Sequence, residues 1–130
     1  MKEYPRTKQL ILHIPHSSEN IPHTRGYVVN REIIDEEILK LTDWHTDDLF
    51  SFEDSIDVKA NFSRVFCDTE RFSDDSQEVM AKFGMGVLYE KSDDGSVIRK
   101  INQEVRDSIL NEYYWPHHEK LNNAVEKQIK

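Results

Sequence analysis

The sequence has 130 residues, of which 37% are hydrophobic and 32% charged, and this predicts one domain, residues 1–130, around a single core. No apolar run approaches the about eighteen residues that a membrane span needs, and the amino terminus, MKEYPRTK, lacks the apolar segment of a secretory signal. The formal net charge of −8 argues against nucleic acid as a partner, because that affinity comes mainly from clustered Lys and Arg.

The first half of the chain reads as strand, loop, helix. The apolar run Lys8–Ile14 predicts a buried strand, and Pro15 ends it. Residues 15–30 are polar and contain Pro15, Pro22 and Gly26, so they predict a long loop of the kind that often carries function. Arg31–Leu41 has a helical apolar stripe, and Thr42 or Asp43 is placed to cap a second helical segment running to about Phe52.

The second half mixes strands and helices. The predicted elements are strands at Ser55–Ala60 and Ser63–Asp68, a short helix near Asp75–Lys82, a hairpin of Gly86–Tyr89 and Ser96–Arg99 around Asp93-Asp94-Gly95, a helix at Asn102–Glu112 and a helix restarted by Pro116. This mixture predicts an α/β domain with a partly parallel sheet. Because the last helix reaches Lys130 with no strand after it, we expect the chain to be part of a longer protein.

A first candidate site follows the first strand. His16 and Glu19 lie three residues apart, and imidazole nitrogen and carboxylate oxygen are both good zinc ligands. A strand end that opens into a loop can aim both side chains into one cleft. The alternative is a polar turn in which Ser17 or Ser18 caps the backbone, and the spacing alone favours that alternative.

A second candidate lies in TDWHTDDLF, residues 42–50. Asp43 and Asp47 share one helical face, and such a carboxylate pair can hold a metal or orient a ligating histidine. Helix capping by Asp43 and solvation of the other acidic residues is the equally weighted alternative, with Trp44 in the core.

Arginines stand at either end of the segment NFSRVFCDTERF. A guanidinium binds a carboxylate through two parallel hydrogen bonds, so Arg64 and Arg71 near a metal would suit a substrate with free carboxylates. The alternative is a structural network in which Asp68 and Glu70 pair with the two arginines. Cys67 is interpreted as an unreactive core residue. Because it is the single cysteine, no internal disulfide can form, and a reducing cytoplasm is the default location.

Two histidines lie at a predicted helix start in YYWPHHEKL. His117 and His118 flank the stripe formed by Leu121 and Val125, which favours a core or boundary position for both.

Five segments, in one order and spanning nearly the whole chain, resemble the N-formylglutamate amidohydrolase family: LHIPHSSENIP, LTDWHTDDLF, SRVFCDTERF, KFGMGVLYEK and YYWPHHEKL. The resemblance implies an α/β sandwich with a mainly parallel sheet flanked by helices, similar to zinc-dependent exopeptidases. It also implies hydrolysis of N-formyl-L-glutamate to formate and glutamate, a late step of histidine degradation.

The resemblance further implies roles for single residues. His16 matches the histidine after the first strand and is the expected ligand of a zinc ion, with Asp43, Asp47 and Glu19 as further candidate ligands. The expected substrate-binding residues are Arg64, Arg71, His118 and Ser17, the neighbour of His16. Family members continue into a strand carrying Asp-x-His-Ser, whose histidine would be a further ligand, and the general base is left unassigned.

The sequence therefore predicts a zinc-dependent amidohydrolase acting on a small acidic acyl amino acid. One alternative is an inactive, amidohydrolase-like domain that binds an acidic metabolite. Another is a zinc amidase or carboxypeptidase for a different acyl amino acid. An unpaired sheet edge would allow a homo-oligomer.

Overall fold

The computed structural model describes residues 11–44 and 56–129. The elements in chain order are strand β1 (Ile11–Ile14), helix α1 (Arg31–Leu41), strand β2 (Ile56–Lys59), a 3-10 helix (Val79–Phe83), helix α2 (Gln103–Ile109), a π-helical turn (Leu110–Tyr114) and helix α3 (Trp115–Ile129). The second helical segment predicted up to Phe52 lies mostly outside the described residues.

The two strands pair in parallel. Their register runs from Ile11 opposite Ile56 to Ile14 opposite Lys59, and the Ala60 amide continues it by donating to the Ile14 carbonyl at 3.1 Å. Both strands fall inside their predicted ranges, so the parallel pairing expected of an α/β protein is confirmed for this pair. Because parallel strands point the same way, the segments that follow Ile14 and Lys59 start side by side at one edge of the sheet.

Helix α1 has the predicted bounds. The Asn30 side chain accepts the Ile33 amide at 3.1 Å and so caps the first turn. Ile34 and Ile38 are buried in the core, which is the face that the apolar stripe predicts. The hydroxyl of Thr42 donates to the Ile38 carbonyl as the helix ends.

The strand predicted at Ser63–Asp68 is wrong. This segment forms consecutive turns, in which the Phe66 and Cys67 amides both donate to the Ser63 carbonyl at 3.0 and 3.2 Å. Its apolar side chains are nevertheless fully buried. The apolar run therefore reflects core packing by a buried loop, and burial raises the pKa of the Cys67 thiol, which favours the inert interpretation of that residue.

Two other predictions between residues 75 and 99 need correction. The short helix is a 3-10 helix that lies closer to the carboxyl terminus than Asp75–Lys82 and ends at Gly84, whose φ of 75° suits glycine. The hairpin turn is present, with Gly95 at φ 91° and the Ser92 amide donating to the Ser96 carbonyl. Its two predicted strands are absent from the described residues. In their place, isolated antiparallel bridges join Lys91 to Val97 and Tyr27 to Arg99.

The helix break predicted at Pro116 is also wrong, because the helix continues from α2 into α3 through the π-helical turn. In that turn the Trp115 amide donates to the Leu110 carbonyl, five residues earlier. Proline lacks an N–H and its ring crowds the carbonyl four residues earlier in an α-helix. The wider turn before Pro116 relieves that clash, so the proline is accommodated without ending the helix.

The core lies between α1, the buried loop 62–67 and α2. Its residues include Ile34, Ile38, Phe62, Val65, Phe66, Val87, Ile98, Val105 and Ile109. Phe66 also meets the Tyr113 ring edge-to-face, with 5.0 Å between ring centroids. Of the helices in the described ranges, none is long and apolar enough to cross a membrane.

Candidate functional site

The candidate site lies at the sheet edge where β1 and β2 end. His16 follows β1 by two residues, and its carbonyl accepts the Asp43 amide at 2.8 Å. This backbone bond fixes the segment after α1 beside the segment after β1. The two sequence segments that contained candidate metal ligands are therefore brought together.

His16 lies between two carboxylates. Its Nε2 is 2.7 Å from Oδ1 of Asp68, and its Nδ1 is 3.7 Å from Oδ2 of Asp43. The side chains of His16 and Asp68 are buried, whereas that of Asp43 is 57% exposed. Because an ionised carboxylate only accepts hydrogen bonds, Nε2 carries the hydrogen, and in the neutral ring the lone pair of Nδ1 is left on the side of Asp43.

Asp68 is the centre of this site. It accepts hydrogen bonds from the hydroxyl of Tyr89 at 2.5 Å, from Nη2 of Arg64 at 3.3 Å and from the Glu70 amide at 3.1 Å. Nε of Arg71 lies 3.5 Å from Oδ2. We call His16, Arg64, Asp68, Arg71 and Tyr89 the Asp68 cluster.

The Asp68 cluster keeps a buried carboxylate charged. Burial alone would raise the pKa of Asp68, but the hydrogen bonds from the His16 ring and the Tyr89 hydroxyl, together with the Arg64 guanidinium, lower it to about 2. Burial raises the pKa of Tyr89, so its hydroxyl stays a donor. Asp68 is therefore ionised at neutral pH and holds the His16 ring in one tautomer and orientation.

Each of the three guanidinium nitrogens of Arg64 donates a hydrogen bond. Its Nε donates to the Tyr89 hydroxyl at 3.0 Å and its Nη1 to the Leu41 carbonyl at 3.3 Å, in addition to the bond with Asp68. The sequence left open a network in which Asp68 and Glu70 pair with the two arginines, and the pairs of Asp68 with Arg64 and Arg71 are present. Tyr89 was not identified from the sequence, although a buried tyrosine usually needs a partner for its hydroxyl.

Another predicted residue, His118, contacts the segment that follows Asp68. Nε2 of His118, in α3, donates to the Thr69 carbonyl at 2.7 Å, and the hydroxyl of Tyr114 donates to the Arg71 carbonyl at 2.8 Å. The amino-terminal end of α3 is therefore fastened to the segment that follows Asp68. Ser17 is partly buried beside His16.

Glu19 is placed away from His16. It is exposed and lines a separate surface cleft with Arg31, Asp35 and Trp44. Trp44 is 44% exposed, so it is not a core residue. Asp47 lies outside the described residues.

The donors at this site fit part of a metal centre. Nδ1 of His16 and the carboxylate of Asp43 are of the types that bind zinc, and Asp68 supports the second ring nitrogen as metal-bound histidines require. Across residues 11–44 and 56–129, no group of three or more His, Cys, Asp or Glu side chains is arranged to hold a metal ion. The described residues could thus supply two ligands, His16 and Asp43, and one supporting carboxylate, that of Asp68.

Two histidines, one in β1 and one in α3, contact each other. Nε2 of His13 lies 2.7 Å from Nε2 of His117, and the ring centroids are 4.9 Å apart. Burial, followed by the nearby His13, His118 and Lys120, lowers the pKa of His117 to about 4, and burial also lowers the pKa of His13. At neutral pH this is an uncharged pair in which one ring donates to the other.

Two comparisons with known proteins give a match. The model of the N-formylglutamate amidohydrolase family matches residues 8–129. The fold is similar to the crystal structure of N-formylglutamate amidohydrolase from Ralstonia eutropha JMP134, with a TM-score of 0.78 and 25% identity over 95% of this chain and 50% of that chain. This chain therefore spans about half the length of that solved relative. A comparison with curated proteins gave no match. Because the family model covers nearly the whole chain, the chain belongs to the N-formylglutamate amidohydrolase family.

Proposed function

We propose that the protein is a metal-dependent amide hydrolase whose substrate is N-formyl-L-glutamate, cleaved to formate and L-glutamate. Family membership and the solved relative of that name support the reaction class. The observation that carries the proposal is the orientation of His16, whose Nε2 is held by the buried Asp68 while its Nδ1 faces Asp43. A buried, ionised carboxylate behind a histidine is the usual support of a metal ligand.

Each residue of the site has a role in this proposal. His16, through Nδ1, and Asp43 would hold a zinc ion, and Asp47 stays a candidate ligand. When bound, zinc lowers the pKa of a coordinated water and polarises an amide carbonyl. Asp68 keeps the His16 ring in the tautomer that presents Nδ1, and Tyr89 and Arg64 keep Asp68 ionised.

Arg64 and Arg71 have different roles in this proposal. Arg64 already donates to Asp68, Tyr89 and Leu41, so it acts by holding Asp68 in place. Among the described residues, Arg71 contacts an acidic group only at Asp68, through a 3.5 Å approach of Nε. Arg71 is therefore the better candidate to bind a substrate carboxylate, with Ser17 and His118 as further candidates.

The sandwich architecture also belongs to this proposal. The parallel pairing of β1 with β2, with α3 packed against both strands, supports an extended and mainly parallel sheet like that of zinc-dependent exopeptidases.

The proposal is tested by release of formate from N-formyl-L-glutamate, before and after removal of metal by a chelator. Activity should be lost on chelation and return with zinc, and His16→Ala should abolish it. His23→Ala, which removes another loop histidine, is the control and should keep the activity. Zinc content and the thermal melting curve of each variant separate loss of the ligand from loss of the fold. Activity that survives both chelation and His16→Ala would exclude the metal mechanism.

A further inference from the structure

A cleft lies beside the Asp68 cluster, between the segment 69–72 and helix α3. It has a volume of about 400 Å³, within the range of small-molecule sites. Its lining includes Thr69, Glu70, Arg71, Phe72, Tyr114 and His118. We call it the Thr69 cleft.

The Thr69 cleft contains buried donors without acceptors. Thr69 is 1% exposed, and its Oγ1 has no hydrogen-bond partner among the described residues. Nε of Arg71 is also buried without a hydrogen bond, because its approach to Asp68 is an ion pair at 3.5 Å. Unpaired buried polar atoms are rare in native proteins and need an explanation. A ligand that accepts hydrogen bonds is such an explanation.

The charges and shape of the cleft define that ligand. The Arg71 guanidinium supplies a positive charge and suits a planar carboxylate. Apolar walls of Phe72, Tyr114 and Leu121 suit a short methylene chain. Glu70 is exposed, so solvent screens its negative charge from an anion bound at the base of the cleft.

Two hydrogen bonds from neighbouring helical turns hold the base of the cleft in place. The Thr69 carbonyl accepts Nε2 of His118, and the Arg71 carbonyl accepts the Tyr114 hydroxyl. The backbone of this segment is therefore fixed to α3, and the donors of Thr69 and Arg71 are positioned before a ligand arrives. Such preorganisation lowers the cost of binding.

We propose that the Thr69 cleft binds the side-chain carboxylate of the acyl-amino-acid substrate, and that Thr69 is a specificity-determining residue. This inference rests on the hydrolase proposed above. The hydroxyl of Thr69 donates to the carboxylate, and Arg71 balances its charge. A neutral amide in the same place gains no charge attraction from Arg71, so the cleft selects acidic over amidated side chains.

Binding to the full chain tests the cleft without any chemistry. Butyrate is the probe and butyramide its neutral isostere, and the readout is the backbone amide shifts in NMR spectra of the labelled protein. Butyrate should shift the amides of residues 69–72 and bind more tightly than butyramide. Thr69→Val should weaken butyrate about tenfold, as expected for a hydrogen bond to a charged group, whereas Thr24→Val, at an exposed threonine, should not.

Three outcomes would contradict carboxylate binding in the Thr69 cleft. These are equal affinity for the two probes, shifts confined to other residues, or butyrate binding by Thr69→Val that equals the wild type. Thr69→Ser retains the hydroxyl and should bind butyrate within about threefold of the wild type. If Thr69→Val does not fold, Thr69→Ala provides the loss of hydroxyl, and the shift map of the wild type still decides where butyrate binds.

Kinetics separate this inference from the hydrolase itself. The ratio of kcat/KM for N-formyl-L-glutamate over N-formyl-L-glutamine should fall about tenfold in Thr69→Val and stay constant in Thr24→Val. A wild type that cleaves neither compound contradicts the hydrolase, while the butyrate titration still judges the cleft. A wild type that cleaves the acidic compound, with an unchanged ratio in Thr69→Val, contradicts the role of Thr69 alone.

Discussion

His13 and His16 lie three residues apart, in and just after β1, yet their surroundings differ completely. Nε2 of His16 meets the buried carboxylate of Asp68, which also accepts from Tyr89 and Arg64. Nε2 of His13 meets another imidazole, that of His117. One histidine is joined to a charged cluster, and the other to an uncharged pair.

The difference shows how the partner decides the charge of a buried group. Desolvation is the largest single influence on the pKa of both Asp68 and His117. Asp68 has enough donors to overcome it, and its pKa falls to about 2. His117 has only further bases and a lysine around it, so desolvation prevails and its pKa falls to about 4. Burial thus keeps one site ionised and the other neutral because their hydrogen-bond partners differ.

The largest expected effect comes from neutralising the charged site. Asp68→Asn should lower the free energy of unfolding by about 3–5 kcal/mol, because it leaves Arg64 and Arg71 without their buried counter-ion. Urea unfolding at neutral pH measures the change. Asp35→Asn breaks an exposed pair with Arg31 and should cost at most about 0.5 kcal/mol. Equal costs in the two variants would show that the Asp68 cluster contributes no more than a surface ion pair.

A smaller effect is expected from removing one donor of the same cluster. Tyr89→Phe should destabilise the protein by about 1.5–3 kcal/mol, because the lost hydroxyl donates to a charged acceptor. Tyr27→Phe is the matched control, since its hydroxyl donates to the neutral Val65 carbonyl and should cost about 0.5–1.5 kcal/mol. Both costs are obtained from denaturant unfolding curves. The comparison fails if Tyr27→Phe is the more destabilised of the two variants.

The smallest effect concerns the neutral pair and depends on pH. The folded-state pKa of His117, about 4, lies below its value of about 6.5 in the unfolded chain, so the unfolded chain binds more protons between those values. Stability must therefore fall as pH decreases through this window and is unaffected by His117 above it. We expect a loss of about 1–2 kcal/mol between pH 7 and pH 5, allowing for solvent screening.

His117→Gln tests the source of that pH dependence. The variant lacks the titrating ring, so its free energy of unfolding should decline less between pH 7 and pH 5 than that of the wild type. His23→Gln removes a histidine outside the pair whose pKa is also lowered by burial, so this variant measures how much of the decline another histidine carries. An identical decline in wild type and His117→Gln would assign the effect to other groups.

Helix α1 and the two strands could be predicted because their signals are local. Asn30 caps the helix, Ile34 and Ile38 give it a buried face, and the apolar runs before Pro15 and around Val58 mark the strands. The turns at 63–68 could not be told from a strand, because Val65, Phe66 and Cys67 would be apolar in a buried strand and in a buried loop alike. Pro116 was misread because the π-helical turn that accommodates it has no clear signature in the sequence.

The site was only partly predictable because its contacts are distant in the chain. His16 and the two arginines were identified from their motifs. From the sequence, Asp68 was considered only as a partner of those arginines. Its bond to the His16 ring was missed because the two residues lie 52 positions apart in the chain. Tyr89 and Thr69 lie in two of the segments that resemble the family, but their importance follows from burial and from which polar atoms they meet. Only the folded chain supplies that information.

The π-helical turn at Leu110–Tyr114 makes the position of a one-residue gap in this helix decisive. A π-turn holds one residue more than an α-helical turn, so loss of one residue there would restore α-helical geometry and leave the rotation of α3 nearly unchanged. Loss of one residue from the α-helical part between Tyr114 and His117 would instead turn the rest of α3 by about 100° about its axis. His117 would then leave His13, and His118 would leave the Thr69 carbonyl. Sequence alignments within this family should therefore accept a one-residue gap between positions 110 and 114 and treat the same gap at positions 115–117 as a change in the site.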